Sequence, residues 1–366
     1  MRKLGSGRYS HVWLAKDTHN DSLVALKILT SDCYGAGHDI FELDVMRQIT
    51  QQQAQLRNQA THVISLTDSF RIDGPTGSHE CMALPLLGSD LSRQARRFPK
   101  RRIPVSVMKQ ITRQLLEGLR FLHETCGVIH TGICIQEYGK LWRWLTEADR
   151  NVDLQPSNIC FELTSAQVAD MASGTSADEV TPIISETNIG KVVIIDFGVA
   201  SWTDKHLSDN IQPEHLRAPE VILGAPWGPP VDIWSFGCLV MEFVKGHVAF
   251  LGAASKGRWS SEDDHLAQYM EVLGPMPSAL LLRGSKTDQY FDKEGNLLRI
   301  PQLKVTNLAD FVDGKEGPFK RPGDMTPEDA PLFVDFLRGA LQLDPDERKT
   351  AGELLQHEWL RPAERD

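Results

Sequence analysis

An apolar strand that ends in a carboxylate is the clearest chemical feature of this 366-residue sequence. Ile194 and Ile195 precede Asp196-Phe197-Gly198, in which the carboxylate can bind Mg²⁺ and the glycine permits a sharp turn of the backbone. The same tripeptide also occurs by chance. The rest of the sequence must therefore decide whether it belongs to a phosphate-handling site.

A lysine within an apolar strand is the second chemical feature. Lys27 lies in the apolar run 23–29, which predicts a buried strand. A buried ammonium group needs an anionic partner, because an unpaired buried charge is very costly. We expect Glu42, fifteen residues later in a predicted helix, to be that partner. Asp44 and Asp39 compete for the role, and an exposed helix carboxylate is the simpler interpretation of Glu42.

A glycine-rich stretch, Gly5-Ser6-Gly7, lies before this strand. Glycines let the backbone approach phosphate oxygens and direct N–H groups at them. The stretch is weak support by itself, since a glycine-rich hairpin turn has the same composition. No Gly-Lys-Ser or Gly-Lys-Thr follows, which excludes a Walker A loop.

Strand patterns precede helical patterns along the chain. Strands are predicted at 9–15, 23–29 and 79–87, and helices at 40–56, 105–125, 230–246, 262–274, 329–342 and 350–357. Residues 164–189, rich in Ser, Thr, Ala and Asp, predict a flexible surface loop. We therefore expect an α+β fold of two lobes with a cleft between them. The small β-rich lobe covers 1–86, with a short first strand, and the larger helical lobe covers 87–360.

The composition limits the classes of function. A net charge of −10 argues against nucleic acid as the main ligand and suits a basic protein partner. There is no apolar run of membrane-spanning length and no signal-peptide core near the N-terminus. The six cysteines are scattered without metal-ligand spacing, which predicts reduced thiols in a cytoplasmic or nuclear protein.

Further motifs follow Asp196 in a fixed order. Arg217-Ala218-Pro219-Glu220 and then the run 232–237 match the activation segment of protein kinases and the helix behind it. Arg348, near the end, is the expected ion-pair partner of Glu220. Each motif has a trivial explanation by itself, but their common order does not. The sequence therefore predicts a two-lobed protein kinase fold.

One branch of the kinases, the SR-protein kinases and their fungal relatives, resembles this chain over nearly its whole length. The phrases that carry the resemblance are Val12-Trp13-Leu14-Ala15-Lys16, Leu87-Gly88, Ile129-His130-Thr131, Arg217-Ala218-Pro219-Glu220, Asp232-Ile233-Trp234-Ser235, Ser261-Glu262-Asp263-Asp264-His265-Leu266 and Arg348-Lys349-Thr350-Ala351. The resemblance implies a monomeric serine/threonine kinase that uses ATP and Mg²⁺. Its substrates would be serines in Arg/Ser-rich, splicing-related proteins, without direct nucleic-acid or membrane binding.

The same resemblance implies roles for individual residues. The nucleotide would contact Leu4, Gly5, Ser6, Gly7, Val12, Ala25, Lys27, Leu84 (as gatekeeper) and Leu86 (in the hinge), although Ser10 replaces the usual third glycine. The catalytic set would be Asp153 as the base, Lys27 with Glu42, and Asn158 and Asp196 as Mg²⁺ ligands. Thr131 replaces the arginine that usually binds a phosphorylated activation loop.

An acidic groove that holds the basic substrate is a further implication. Asp264 and Glu271 match it by position and, being seven residues apart on a predicted helix, share one face. An ordinary solvated helix face is an equally good interpretation. His247 stands where the family tends to carry another acid, which weakens the groove.

The catalytic loop itself is interrupted. The family runs Ile-His-Thr-Asp-Leu without a break, whereas 21 residues, 132–152, here separate Thr131 from Asp153, and Gln155 replaces a usual lysine. Closing such a loop costs only about 2–3 kcal/mol, but a misplacement of Asp153 by ~1 Å costs on the order of a hundredfold in rate.

Several interpretations of the interruption remain open. One is a pseudokinase that binds nucleotide or a partner without catalysis. Another is a retained intron in the gene, because 21 codons make a short in-frame segment. A separate alternative for the function, a small-molecule kinase of similar fold, is disfavoured by Ala218-Pro219-Glu220, which is typical of protein kinases.

Overall fold

The structure is a computed structural model that describes residues 2–7, 9–34, 40–56, 59–132 and 157–361. Its first part is a five-stranded antiparallel sheet in the order β1-β2-β3-β5-β4. The strands are β1 (Arg2–Ser6), β2 (Ser10–Lys16), β3 (Leu23–Leu29), β4 (Asp68–Gly74) and β5 (Gly77–Leu84). Helix α1 (Glu42–Gln55) follows β3 and buries an apolar face that includes Leu43, Met46 and Ile49. That face follows the helical period expected from the sequence.

The second part contains small sheets and most of the helices. Strand β6 (Leu87–Asp90) pairs with β8 (Ile159–Glu162), which pairs with β9 (Val192–Ile194), and β7 (Val128–Ile129) pairs with β10 (Ser201–Trp202). The helices are α2 (Leu91–Ala95), α3 (Val105–Arg120), α4 (Ser165–Ala172), α5 (Ala177–Val180), α6 (Pro219–Leu223), α7 (Pro230–Lys245), α8 (Ser261–Leu273), α9 (Ser278–Arg283), α10 (Leu308–Asp313), α11 (Asp329–Ala340) and α12 (Ala351–Leu355).

Helix α7 is the centre of this second part. Fifteen of its sixteen residues are buried, which explains why its sequence is apolar on all sides rather than amphipathic. Helix α3 continues as one wider π-helical stretch (Phe121–Cys126) and ends at Gly127, whose φ is +64°. Together these helices hold β7 and the start of the catalytic loop in the core.

The segment 164–189 corrects one sequence expectation. Where the composition predicts a flexible surface loop, the chain forms α4 and α5, and each helix begins with a capping box, Thr164 with Gln167 and Ser176 with Glu179. Met171 is buried at the end of α4. Two of the serine and threonine residues that suggested a loop, Thr164 and Ser176, are therefore helix caps, and Ile184 and Ile189 pack into the main core.

Two other expectations concern cysteines and membranes. The five cysteines within the described ranges are buried and carry free thiols. Their burial agrees with the prediction of reduced core residues. Among the described helices, none combines the length and apolar character that a membrane crossing requires.

Candidate active site

Lys27 lies between two carboxylates. Its ammonium group pairs with Glu42, as predicted, and also donates a hydrogen bond to Asp196 Oδ1 over 2.9 Å. Lys27 and Glu42 are both more than nine-tenths buried. Burial by itself would lower the pKa of Lys27, but the charges of Asp196 and Glu42 raise it above its usual value. The charge of Lys27 in turn lowers the pKa of Asp196, so both groups are charged at neutral pH.

One face of the five-stranded sheet carries the residues expected beside the nucleotide base. Val12 is the cross-strand partner of Lys27, and Ala25 is the partner of Leu84. Residues directly opposite each other on antiparallel strands point to the same side, as do residues two apart on one strand. Val12, Ala25, Lys27 and Leu84 therefore share one face. Leu86 follows the end of β5 and is buried.

The glycine-rich stretch forms the end of β1 and the turn towards β2. The Gly7 N–H donates a hydrogen bond to the Ser10 carbonyl oxygen over 2.9 Å. Within the described part of the chain, a Cβ atom at Gly5 would meet nothing within 4 Å, and one at Gly7 would first meet Ser10 Oγ at 4.0 Å. Internal packing therefore does not require glycine at either position. Leu4 and Ser6 flank Gly5 on the same strand.

Asp196 occupies a left-handed backbone conformation. Its φ is +66°, which is unusual for a non-glycine residue, and its Oδ1 accepts a long hydrogen bond of 3.4 Å from the Gly198 N–H. Phe197 is fully buried and packs edge-on against the imidazole of His130, with ring centroids 5.0 Å apart. The left-handed conformation at Asp196 thus lets the Phe197 ring point into the core while the neighbouring Asp196 carboxylate stays 44% exposed.

The beginning of the catalytic loop is held by Asp232 on α7. Its carboxylate accepts hydrogen bonds from the backbone N–H groups of His130 (2.8 Å) and Thr131 (2.9 Å), and from the imidazole of His123 (2.9 Å). The His130 side chain donates to the Ile195 carbonyl oxygen over 2.9 Å. The loop is therefore fixed to α7 on one side and to the strand before Asp196 on the other.

Asn158 lies beside Asp196 because their strands are neighbours. The Ile195 N–H donates to the Asn158 carbonyl oxygen over 2.9 Å, and the Asn158 side-chain amide donates to the Gly132 carbonyl oxygen over 2.8 Å. The amide oxygen Oδ1 accepts a long hydrogen bond of 3.4 Å from Ser157 Oγ. The predicted base, Asp153, lies outside the described residues.

The activation segment is joined to the end of the chain by a buried ion pair. Arg348 forms two hydrogen bonds with the Glu220 carboxylate, of 2.7 and 3.0 Å, and neither side chain is exposed. This is the pair expected from the sequence. Gln212 fixes the middle of the segment, since its side chain bonds Ser235 Oγ and accepts from the Ala218 N–H.

The two acids proposed for the substrate groove lie on α8, seven residues apart. Asp264 Oδ2 accepts from the Ala253 N–H over 2.7 Å, and Glu271 Oε1 accepts from the Lys304 N–H over 2.7 Å. Both carboxylates thus also hold neighbouring loops. His247 forms hydrogen bonds with backbone carbonyl oxygens and packs against Phe311.

Some residues of the site were not found by sequence reasoning. Asp232 belonged to a motif that we used for recognition, yet its role in holding His130 and Thr131 depends on a contact across about a hundred residues. Arg2 is a second example, because its side chain reaches the end of α4, where we expected a loop. Neither contact has a local signature in the sequence.

Comparisons with known proteins identify the family of this chain. The chain matches the protein kinase domain family over residues 1–134 and 152–360. The gap in that match, 135–151, falls within the predicted insertion.

Similar curated proteins cover nearly all of the chain. It is 33% identical to the serine/threonine-protein kinase SRPK of Physarum polycephalum, over 98% of this chain and 85% of that protein. It is 29% identical to the protein kinase dsk1 of Schizosaccharomyces pombe, over 98% of this chain and 80% of the relative. It is 26% identical to the SRSF protein kinase 3 of Mus musculus, over 99% and 86% respectively. The two-lobed kinase fold and the serine/threonine kinase class are confirmed, and the chain belongs to the protein kinase family, in its SRPK group.

Proposed function

We propose that this chain transfers the γ-phosphoryl group of Mg-ATP to serines in Arg/Ser-rich segments of splicing-related proteins. The observation that carries the proposal is the position of Lys27 between Glu42 and Asp196. A buried lysine held by one carboxylate on a helix is ready to contact nucleotide phosphates, while the second carboxylate, that of Asp196, is 44% exposed. The named relatives are protein kinases, which fits this arrangement.

The residues present fit a bound Mg²⁺ ion. Mg²⁺ prefers oxygen ligands and usually keeps one or two protein ligands together with phosphates and waters. The Asp196 carboxylate and the Asn158 amide oxygen would supply two such ligands, one just after β9 and the other just before its neighbour β8. When bound, the ion would neutralise charge on the phosphates.

The remaining residues hold and orient the nucleotide. Lys27 would contact the α- and β-phosphates, and the open hairpin around Gly5 and Gly7 would let backbone N–H groups approach the phosphate oxygens. The apolar face with Val12, Ala25 and Leu84 suits an adenine ring, bounded by Leu4 and Leu86. In this proposal Asp153 accepts the proton of the substrate hydroxyl.

The basic substrate is supported by charge. The chain carries a net charge of −10, and Asp264 and Glu271 place two carboxylates on one helix. Because a groove of one sign attracts a ligand of the opposite sign, we expect Arg/Ser-rich peptides to bind more tightly than neutral ones. We further propose that the protein acts as a monomer in the cytoplasm or nucleus, without direct contacts to nucleic acid.

A phosphoryl-transfer assay on the full chain tests the proposal. With Mg-ATP, an Arg/Ser repeat peptide should be phosphorylated, whereas a matched peptide with Arg replaced by Gln should react at least about tenfold more slowly. Equal rates on both peptides would overturn the proposed substrate class. High salt screens exposed charges, so it should reduce the difference in rate between the two peptides, which gives a second readout.

A pseudokinase is the second candidate, and the insertion at 132–152 is the observation that favours it. The chain lacking 132–152 is the matched control, because deletion restores a continuous His-Thr-Asp-Leu run. Activity of the shortened chain alone would assign the intact chain to the pseudokinases. Activity of both would remove the pseudokinase candidate. Sequencing of the mature transcript decides whether these codons are a retained intron.

A further inference from the structure

Helix α4 ends against the first strand of the glycine-rich hairpin. The Arg2 guanidinium group on β1 donates hydrogen bonds to the carbonyl oxygens of Gly174 (3.1 Å) and Met171 (3.5 Å). The last carbonyl groups of a helix carry a partial negative charge, and the Met171 carbonyl oxygen also accepts a hydrogen bond from the Gly174 N–H over 3.2 Å. The positive charge of Arg2 is therefore favourably placed beside these carbonyl groups, although they lie at least 169 positions later in the sequence.

The other end of the same segment is fixed to β6, the first strand of the second part. Thr181 Oγ1 accepts from the Ser89 N–H over 2.9 Å, and a Cβ atom at Gly88 would lie 2.3 Å from that oxygen. The segment thus lies directly against the backbone of β6.

Helix α2 and the turn that follows it hold the segment as well. Arg97 donates to the Thr181 carbonyl oxygen over 2.8 Å and to that of Asp178, and Arg93 pairs with the Asp178 carboxylate over 2.9 Å. These contacts attach α4 and α5 to the second part of the fold. Arg2, in contrast, belongs to the N-terminal sheet.

Arg2 therefore joins the N-terminal sheet to the second part of the fold. It is two positions before Leu4, on the strand that carries Gly5 and leads into the hairpin turn. We propose that Arg2 is a positioning residue: through the carbonyl groups at the end of α4 it restrains the glycine-rich hairpin over the nucleotide and slows nucleotide release. This inference rests on the proposed function only in requiring that a nucleotide occupies the cleft.

Dissociation of a fluorescent ADP analogue, mant-ADP, from the full chain in the presence of Mg²⁺ tests the inference. Arg2→Ala should raise the dissociation rate about twofold to fivefold, the range expected for one partly exposed charge-assisted contact. Arg2→Lys should recover part of the effect, since the positive charge remains. Lys3→Ala, on the same strand, is the matched control and should release mant-ADP at the wild-type rate.

A double-mutant cycle separates positioning from a structural role of Arg2 within the sheet. In a chain whose residues 165–173 are replaced by a Gly/Ser linker, dissociation should already be fast, and adding Arg2→Ala should change it no further. A persistent effect of Arg2→Ala in the linker chain would overturn the inference. So would unchanged dissociation in the Arg2→Ala variant of a chain that binds mant-ADP. Failure of the wild-type chain to bind mant-ADP would instead overturn the proposed function, and this inference with it.

Discussion

The Asn158 side-chain amide donates a hydrogen bond to the Gly132 carbonyl oxygen, 26 positions earlier in the chain, over 2.8 Å. Gly132 directly follows Thr131. In the Ile-His-Thr-Asp-Leu pattern of the family, the catalytic aspartate is expected at this position. The two residues therefore bring both sides of the interrupted loop together beside Asp196.

The role of Asp153 follows as the first prediction. If Asp153 is the base, Asp153→Asn should lower kcat for an Arg/Ser peptide by about a hundredfold to ten-thousandfold, the usual contribution of a positioned general base. Nucleotide affinity should change little, because Lys27 and Asp196 remain in place. Steady-state kinetics together with mant-ADP titration measure both quantities.

An exposed aspartate of the activation segment provides the control for this experiment. Asp204→Asn removes a similar charge at the surface and should leave kcat unchanged. Full activity of the Asp153→Asn chain would show that Asp153 is not the base in this polypeptide.

The fold was largely predictable because its signals are local. The buried strand with Lys27 follows from its apolar run, and its partner Glu42 follows from the cost of an unpaired buried charge. The pair of Glu220 with Arg348 was expected instead from the order of the kinase motifs. The prediction of a loop over 164–189 was wrong, because serine and threonine favour both loops and helix N-caps. Composition alone cannot distinguish these uses.

Contacts that cross the fold were not predictable from sequence patterns. Asp232 accepts from the N–H groups of His130 and Thr131, and nothing in the neighbourhood of Asp232 in the sequence indicates these partners. The link from Arg2 to Gly174 depends on the lobes being folded together. Such contacts depend on tertiary geometry, which no periodic pattern records.

Removal of the central cation is the second prediction. Lys27→Met leaves Glu42 and Asp196 without the charge between them, so the pKa of Asp196 should rise and its affinity for Mg²⁺ should change. We expect kcat to fall by about a hundredfold or more, as when one preorganised charge at a reacting phosphate is lost. Kinetics over a range of Mg²⁺ concentrations provide the measurement.

The matched control is a lysine on the neighbouring strand. Lys16 forms an exposed ion pair with Asp21, so Lys16→Met should leave the rate unchanged. A Lys27→Met chain as active as the Lys16→Met chain would rule out the proposed role of Lys27.

The buried pair of Glu220 and Arg348 gives a prediction about stability. Removing one partner leaves an uncompensated buried charge, so Glu220→Gln and Arg348→Met should each lower the free energy of unfolding by about 3–5 kcal/mol. The double variant should lose less than the sum, because no lone charge remains. Urea unfolding of the four chains completes the cycle, and strict additivity would show that the two groups do not act as a pair.

The carboxyl group of Glu242 on α7 predicts a pH dependence of stability. It is fully buried, its Oε1 accepts a hydrogen bond of 3.3 Å from the Ala249 N–H, and its Oε2 finds no partner among the described residues. Burial raises the pKa of Glu242 from 4.5 to about 8. Between these values the folded chain binds a proton that the unfolded chain has released. This group's contribution to stability therefore falls as the pH rises through that window.

Glu242→Gln should remove this dependence, because the neutral amide keeps an oxygen for Ala249 and does not titrate. Relative to the wild-type chain, the variant should gain stability from pH 5 to pH 8, by an amount on the order of a few kcal/mol. Urea unfolding at several pH values measures the difference, with Glu294→Gln as an exposed control that should follow the wild type. A constant difference between the Glu242→Gln and wild-type chains across this range would mean that Glu242 stays in one protonation state in both the folded and the unfolded chain.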